Sequence, residues 1–190
     1  MKTTPFILTF LIAVIHTARG CSRPKTCREA GATKPGDYTL YLGPKATPVT
    51  IFCYKCKEYI TLKASNYGNN ACNRGWAACG RTDWKKIRID PHNLNVIGTD
   101  YTFSSSSRSS HEVPYGQGGG CAGWYKVSGG FVLDLTGTGF AIDATKTKWH
   151  AAGFKPKSIV TLKPNNLVAT AQCGGSCGLC VPTGNIVLSV

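Results

Sequence analysis

Ten cysteines constrain this chain more than any other feature, and three of them lie close together near the C-terminus. Cys173, Cys177 and Cys180 fall in the segment Cys-Gly-Gly-Ser-Cys-Gly-Leu-Cys, residues 173–180. Three thiols this close do not all fit a regular strand or helix. The glycines between them allow the sharp turns with positive φ that such spacing needs. Because short β-type segments lie on both sides, we interpret the segment as a covalent corner between strands.

This spacing has three interpretations, and the redox compartment decides among them. Cys-x3-Cys-x2-Cys is the spacing with which radical enzymes bind an iron–sulfur cluster and S-adenosylmethionine. Closely spaced cysteines also suit zinc, which takes four ligands in a tetrahedron. The third interpretation is a disulfide corner. An iron–sulfur enzyme is not expected outside the cell, and the chain lacks the α/β pattern that would support one.

The N-terminus has the features of a secretory signal. An early lysine precedes an apolar run of eleven residues, 5–15, and small residues at Ala18 and Gly20 fit the positions before a cleavage site. The run is short for a membrane-spanning helix, which needs about 20 apolar residues. We therefore predict a signal peptide over residues 1–20, a secreted, extracellular domain over 21–190, and no transmembrane segment.

All ten cysteines lie in the predicted mature part of the chain. An even number of cysteines in an oxidising compartment favours a disulfide framework, so we expect no free thiol. The pairing is open at this stage, and zinc is the alternative for the closely spaced cysteines, although we predict no metal and no cofactor. The disulfide candidates are Cys21, Cys27, Cys53, Cys56, Cys72, Cys79, Cys121, Cys173, Cys177 and Cys180.

The chain is strongly basic. Its formal charge is +13, or +11 once the two cations of the predicted leader are removed. Such an excess favours attraction to polyanions and says nothing about the fold. Outside the cell the available polyanions are sulfated glycosaminoglycans and anionic cell surfaces, and the compartment argues against nucleic acid. The alternative is a basic surface without a ligand.

Alternating apolar and polar residues indicate many short strands. Clear alternation occurs over residues 37–42, 49–54 and 130–135, with Gly and Pro turns between such segments. No stretch has a convincing helical period. We predict one mainly β, disulfide-rich domain of about eleven short antiparallel strands, sandwich or barrel-like, with little helix. Three polar or glycine-rich segments are predicted to be loops: residues 63–83, 104–110 and 116–120.

One predicted strand, residues 84–90, combines aromatic and basic side chains. Alternation places Trp84, Lys86 and Arg88 on the face opposite the isoleucines. That face suits a sulfated saccharide, because the two cations can hold sulfates while Trp84 takes a sugar ring. The alternative is a half-buried core strand whose outer face is basic. The predicted polyanion-binding residues are Trp84, Lys85, Lys86 and Arg88.

Known catalytic motifs are incomplete in this chain. His111 and Glu112 begin a zinc-protease-like signature, but the second histidine is missing and Pro114 would break the helix that the motif needs. No serine lies in a Gly-x-Ser-x-Gly elbow. A cysteine nucleophile needs a free thiol, which the even cysteine count does not favour. We therefore predict no enzymatic activity, no catalytic residues and no metal site.

Several short blocks occur in a fixed order along the chain: residues 36–40, Cys53, residues 58–62, 85–90, Thr99 and Asp100, 135–139 and 173–180. In these blocks and their order the chain resembles the GON domain, the module that ends the longest members of the ADAMTS family of secreted metalloproteinases. The resemblance runs from about Cys27 to the C-terminus. Cys21 and Cys56 have no counterpart in the family pattern and suggest an additional disulfide.

The resemblance implies a non-catalytic module, because the family places its zinc chemistry in another domain. It also implies an ancillary role in extracellular matrix, tissue remodelling or secretory transport. We expect a module that binds matrix or cell-surface glycosaminoglycan. The alternative is a module that assists or regulates a separate zinc metalloendopeptidase of the ADAMTS type. The first strands are also similar to those of fibrinogen-like domains, which keeps an α+β fold as the alternative architecture.

Overall fold

The computed structural model describes most of the chain, namely residues 23–69, 80–107, 112–121 and 127–190. Several positions singled out above lie outside the described residues: the predicted signal peptide, residues 1–20, and Cys21, Cys72, Cys79 and His111. No helix within the described ranges is long and apolar enough to cross a membrane.

The described residues form eleven strands and one short 3-10 helix, Pro164–Asn166, so the prediction of a mainly β chain is confirmed. The strands are β1 Gly36–Leu42, β2 Thr47–Tyr54, β3 Lys57–Asn69, β4 Arg81–Ile89, β5 Ser104–Ser106, β6 Gly118–Gly120, β7 Val127–Asp134, β8 Ala141–Ile142, β9 Trp149–Leu162, β10 Val168–Pro182 and β11 Leu188–Ser189. Nine of them form one antiparallel sheet in the order β1-β2-β3-β7-β10-β6. From this path β4 branches beside β3, β5 beside β4, and β9 beside β10. The other two, β8 and β11, form a separate antiparallel pair.

The core is built from the buried side of these strands. In β2, Val49, Ile51 and Cys53 are buried while the residues between them are exposed or half-buried. Strands β4 and β7 add further aliphatic and aromatic side chains to the same buried cluster, among them Ile87 and Phe131. Burying each such side chain stabilises the fold by about 1.5–3 kcal/mol. The alternation read from the sequence therefore fixes which side of β2 faces inward.

The described chain contains three disulfides, two of which join distant parts of it. They connect Cys27 to Cys53, Cys121 to Cys177, and Cys173 to Cys180. The first ties the N-terminal segment to β2, and the second ties the residue after β6 to β10. Cys56, in the turn between β2 and β3, is exposed and has no disulfide partner among the described residues.

The predicted cysteine corner lies inside β10 and not between two strands. Cys173 and Cys180 are seven residues apart, which in a straight strand would separate their α-carbons by about 23 Å. Their α-carbons are 5.6 Å apart, so β10 bends back on itself. The bend begins where the pairing with β7 shifts register after Cys173, and Gly175 has φ +94° there. Glycine is needed at this position because φ values in this region are strained for other residues.

All three segments predicted to be loops contain strand residues. β3 continues to Asn69 and β4 begins at Arg81, so both enter the predicted loop 63–83. The serine-rich and glycine-rich segments contribute β5 and β6, which pair with β4 and β10. The loop predictions were wrong for these residues. In the serine-rich and glycine-rich segments the reason is that the sequence lacks the apolar alternation of a packed strand. In β6 the glycine is required: a Cβ on Gly118 would come within 2.2 Å of the carbonyl oxygen of Gly130.

Candidate functional site

The structure separates Trp84 from the cations with which alternation had grouped it. Trp84 is buried, with 4% of its surface exposed, and its ring packs edge-on against Tyr115 at 5.3 Å between centroids. Lys85 is exposed, and Lys86 and Arg88 are half-buried. The prediction that a sugar ring stacks on Trp84 is therefore wrong, because the ring belongs to the core.

The cause is an irregularity in the pairing of β3 with β4. Lys86 lies opposite Thr61, whereas Trp84 lies opposite Asn66, so four residues of β3 face a single residue of β4 between these pairs. Extra residues of this kind locally disrupt the ladder and re-aim side chains. As a result Trp84 and Ile87, three residues apart, are both buried, which a regular strand does not allow.

An aromatic cluster that the sequence analysis missed lies beside the cations instead. Phe103 packs edge-on against three rings at centroid distances of 5.7, 5.4 and 4.9 Å, those of Phe52, Tyr54 and Tyr59. Phe52 and Tyr54 alternate with buried residues of β2, and this pattern could have indicated them. Nothing local in the sequence indicates that Phe103, which precedes β5, joins them.

Lys86 lies over this aromatic cluster. Its Nζ is 4.3 Å from the ring centroid of Phe52 and 5.8 Å from that of Phe103, within the range of cation–π attraction. The same ammonium donates a hydrogen bond to Oγ1 of Thr61 at 3.0 Å. These contacts fix the position of Lys86. An ammonium has three N–H donors and the bond to Thr61 uses one of them, so the others are available for a ligand.

A buried carboxylate, that of Asp100, fixes two more cations. Its Oδ2 lies 3.3 Å from Nη1 of Arg88 and 3.7 Å from Nζ of Lys57, and 7% of the side chain is exposed. Asp100 also accepts hydrogen bonds from the hydroxyl of Tyr59 at 3.2 Å and the backbone N–H of Thr102 at 3.1 Å. Because two cations share one carboxylate, the group formed by Lys57, Arg88 and Asp100 keeps a net positive charge.

The surroundings of Asp100 keep its carboxyl ionised at neutral pH. Burial alone would raise its pKa, but the hydrogen bonds from Thr102 and Tyr59 and the charge of Lys57 outweigh burial, so its pKa is below the usual range. Burial and the neighbouring Asp100 charge raise the pKa of Tyr59. Tyr59 is therefore a neutral hydrogen-bond donor to an ionised acceptor.

These side chains project to one side of the sheet because they are cross-strand partners. Phe52 lies opposite Tyr59, which lies opposite Arg88, and Tyr54 lies opposite Lys57. Directly opposed residues of antiparallel strands share a face. We define the aromatic–basic face as Phe52, Tyr54, Lys57, Lys86, Arg88 and Phe103. At its rim the exposed Lys55 places Nζ 5.3 Å from the ring centroid of Tyr54.

Comparison with known proteins identifies the family. A model of the GON domain matches residues 63–190, which is more than half of the chain. The chain belongs to the GON-domain family. The matched part of this GON domain contains β4 and β10, whereas β1 and β2 precede it, so the aromatic–basic face combines residues from both parts.

The relatives of this GON domain are much longer proteins. The human protein named "A disintegrin and metalloproteinase with thrombospondin motifs 20" is 28% identical over 198 residues, covering 87% of this chain. The Caenorhabditis elegans protein named "A disintegrin and metalloproteinase with thrombospondin motifs gon-1" is 29% identical over 192 residues, covering 84% of this chain. The alignments cover 10% and 9% of those proteins, so this chain spans about a tenth of their length. No solved structure matches it.

The described part of this GON domain contains no cluster of three or more His, Cys, Asp or Glu side chains that could hold a metal ion. Cys173, Cys177 and Cys180 are all bonded to other cysteines. A sulfur in a disulfide is not a thiolate, and zinc needs the thiolate as its ligand.

Proposed function

We propose that this GON domain is a secreted, non-catalytic module that binds sulfated glycosaminoglycans of the extracellular matrix or cell surface through the aromatic–basic face. The observation that carries the proposal is the position of Lys86 over the half-buried rings of Phe52 and Phe103, two residues from Arg88 on the same strand. The formal charge of +13, or +11 without the two cations of the predicted leader, supports a polyanionic partner, because a large net positive charge attracts it before any contact forms.

The spacing of the cations supports a sulfated saccharide. Lys86 and Arg88 are two residues apart on β4, about 6–7 Å along the strand, which suits two anionic groups of one chain. Arg88 can hold a sulfate with two parallel hydrogen bonds, whereas Lys86 acts as a point charge. The rings of Phe52 and Phe103 supply the apolar surface that alternation predicts for Trp84.

Several cations must act together in this mode of binding. An exposed ion pair typically contributes less than about 1 kcal/mol, so useful affinity needs a group of cations. Lys57 shares the carboxylate of Asp100 with Arg88, and Lys55 lies at the rim beside Tyr54. Screening shortens to about 8 Å at physiological ionic strength, so the binding should weaken as salt rises.

Heparin-column elution tests the face. Lys86→Ala/Arg88→Ala should elute at clearly lower salt than the wild type. The control, Lys34→Ala/Lys163→Ala, removes the same charge from exposed positions that form no ion pair among the described residues. If the two double variants elute at the same salt concentration, the aromatic–basic face is not the heparin-binding site, and retention depends only on net charge.

A charge-conserving variant separates folding from binding. Arg88→Lys retains a cation near Asp100 but loses the bidentate donor geometry, so we expect elution between the wild type and the double variant. Near-ultraviolet circular dichroism of each variant checks that the sheet is intact. An Arg88→Lys variant that elutes with the wild type would show that only the positive charge at this position contributes to heparin binding.

The comparisons favour a second candidate function, an ancillary role for a separate zinc metalloendopeptidase of the ADAMTS type. Its support is that the matching segments occur in proteins whose names describe metalloproteinases with thrombospondin motifs. A stable complex with such a proteinase that survives heparinase treatment favours this role. Retention on heparin without any complex favours glycosaminoglycan binding.

A further inference from the structure

A cleft opens where β2 and β3 separate. The two strands pair at only three positions, from Phe52 opposite Tyr59 to the turn. Further from the turn β2 stays paired with β1, while Thr61 of β3 pairs with β4. Residues 137–139, in the turn after β7, form the third wall of a cleft of about 350 Å³. This volume is in the range of small-ligand sites. The turn lies within the part of the chain that the GON model matches.

Several hydrogen-bond donors of residues that line this cleft have no partner among the residues that the structure describes. Oγ1 of Thr61 accepts the hydrogen bond of Lys86, which leaves the hydroxyl hydrogen free to donate. Lys63 is exposed and forms no ion pair with any described residue. The backbone N–H groups of Gly137 and Gly139 have no partner within the described ranges either. The cleft can therefore hold an anionic group from several directions.

The remaining lining residues restrict what the anion belongs to. Asp37, an exposed residue, also lines the cleft. Its carboxylate can accept hydrogen bonds from hydroxyl groups and repels negative charge, so next to Asp37 the bound group should present hydroxyls and not its anionic group. Val49 and Ile60 line the cleft but are buried in the core, whereas Thr50 is an exposed residue that carries a hydroxyl. This combination fits a hydroxyl-rich ring that carries one sulfate or carboxylate, such as one residue of a glycosaminoglycan.

We infer that this cleft is the subsite that receives one anionic sugar residue of the chain bound on the aromatic–basic face. The inference rests on the proposed function. Lys86 connects the two regions, because its ammonium lies over Phe52 of the face and donates to Thr61 of the cleft. A saccharide chain that crosses the face reaches the cleft beside Lys86, where Lys63 provides the next cation.

Amide NMR titration with a singly sulfated chondroitin disaccharide tests the subsite. We expect saturable chemical-shift changes at the backbone amides of Thr50, Thr61, Gly137 and Gly139. Sodium sulfate at matched ionic strength should produce weaker binding, because it lacks the hydroxyl groups that Asp37 and Thr50 would contact. Sulfate that binds as tightly as the disaccharide would overturn the assignment to a sugar residue.

Two variants and a control locate the binding. Lys63→Ala should weaken disaccharide binding about three- to fivefold, the scale of one exposed ion pair. Thr50→Trp fills the cleft from an exposed strand position and should abolish the binding. Lys163→Ala removes the same charge elsewhere and should bind as the wild type does. Wild-type affinity in both Lys63→Ala and Thr50→Trp would overturn the inference.

The failure of the subsite and the failure of the face are distinguishable. If the amides of Gly137 and Gly139 show no chemical-shift change while Lys86→Ala/Arg88→Ala elutes from heparin at lower salt, the subsite inference is wrong and the proposed function of the face stands. If the amides at the cleft shift while that double variant elutes from heparin as the wild type does, the face does not bind heparin, and one saccharide chain does not connect the face with the cleft. Lys63→Ala should change heparin elution less than the double variant does.

Discussion

The side-chain amide of Asn66 pairs with the backbone of Asp134, accepting its N–H at 2.8 Å through Oδ1 and donating to its carbonyl at 2.9 Å through Nδ2. Oδ1 also accepts the hydroxyl of Tyr115 at 2.7 Å, and Nδ2 also donates to the carbonyl of Ala64 at 3.1 Å. Asn66 is 1% exposed. The amide thus extends the pairing of β3 with β7 beyond its regular ladder, at the place where β3 pairs irregularly with β4.

Replacing Asn66 should destabilise the fold strongly. Asn66→Ala removes four hydrogen bonds and leaves buried partners without them, and each unsatisfied buried group costs about 1–3 kcal/mol. We expect a loss of about 3–5 kcal/mol in the free energy of unfolding, measured by urea denaturation. Asn185→Ala, at an exposed amide without a partner among the described residues, should change stability by less than about 0.5 kcal/mol. Similar stability of the two variants would contradict this role.

Tyr115 should stay protonated for as long as the protein is folded. Burial, together with the charge of Asp134, raises the pKa of Tyr115 far above its ordinary value of about 10. A group whose pKa is raised by folding adds stability that is fully present below about pH 10 and is lost as the pH rises further. Absorbance of tyrosinate should therefore show a tyrosine that ionises only with alkaline unfolding.

The matching variants identify that tyrosine. Tyr115→Phe should lack one late-ionising group and lose about 1–2 kcal/mol at neutral pH, because Asn66 loses a buried donor. Tyr41→Phe removes a half-buried tyrosine with no hydroxyl hydrogen bond among the described residues, and should leave the late group unchanged. The assignment fails if Tyr115→Phe keeps the late-ionising group.

The sequence predicts much of the sheet and only part of the candidate face. Val49, Ile51 and Cys53 alternate cleanly, so their burial in β2 follows from local pattern alone. The burial of Trp84 does not follow from local pattern, because it depends on how many extra residues of β3 lie opposite β4. Phe103 joins the face only through contacts across strands, which no local pattern records.

Cysteine labelling tests the sequence-based expectation that the mature chain has no free thiol. Cys56 is exposed and has no disulfide partner among the described residues, while Cys21 lies outside them. We expect the additional disulfide to join these two cysteines. Alkylation without reduction, read by intact mass, should then add nothing. One added label that peptide mapping places on Cys56 would contradict the additional disulfide.

Asp100→Asn should lower stability at neutral pH in a way that disappears in acid. The hydrogen bonds and cations around Asp100 hold its pKa below the unfolded value of about 3.9. A lowered pKa gives stability that is present above about pH 4 and is lost as the pH falls through the folded value. Thermal melts from pH 7 to 3 should show the wild type and Asp100→Asn converging. A difference that stays constant over this range would contradict the role of the charge.

The same variant should bind heparin more tightly, opposite to its effect on stability. Asp100→Asn removes the carboxylate that Arg88 and Lys57 share, so both cations gain electrostatic attraction to a sulfated chain. We expect elution from a heparin column at higher salt than the wild type, whereas Lys86→Ala/Arg88→Ala elutes at lower salt. Asp143→Asn is the matched control, because it removes an equal charge next to Lys146, directly after β8, which belongs to the separate pair β8–β11 and not to the sheet that carries the face. If both asparagine variants shift elution equally, net charge governs binding and the arrangement around Asp100 does not.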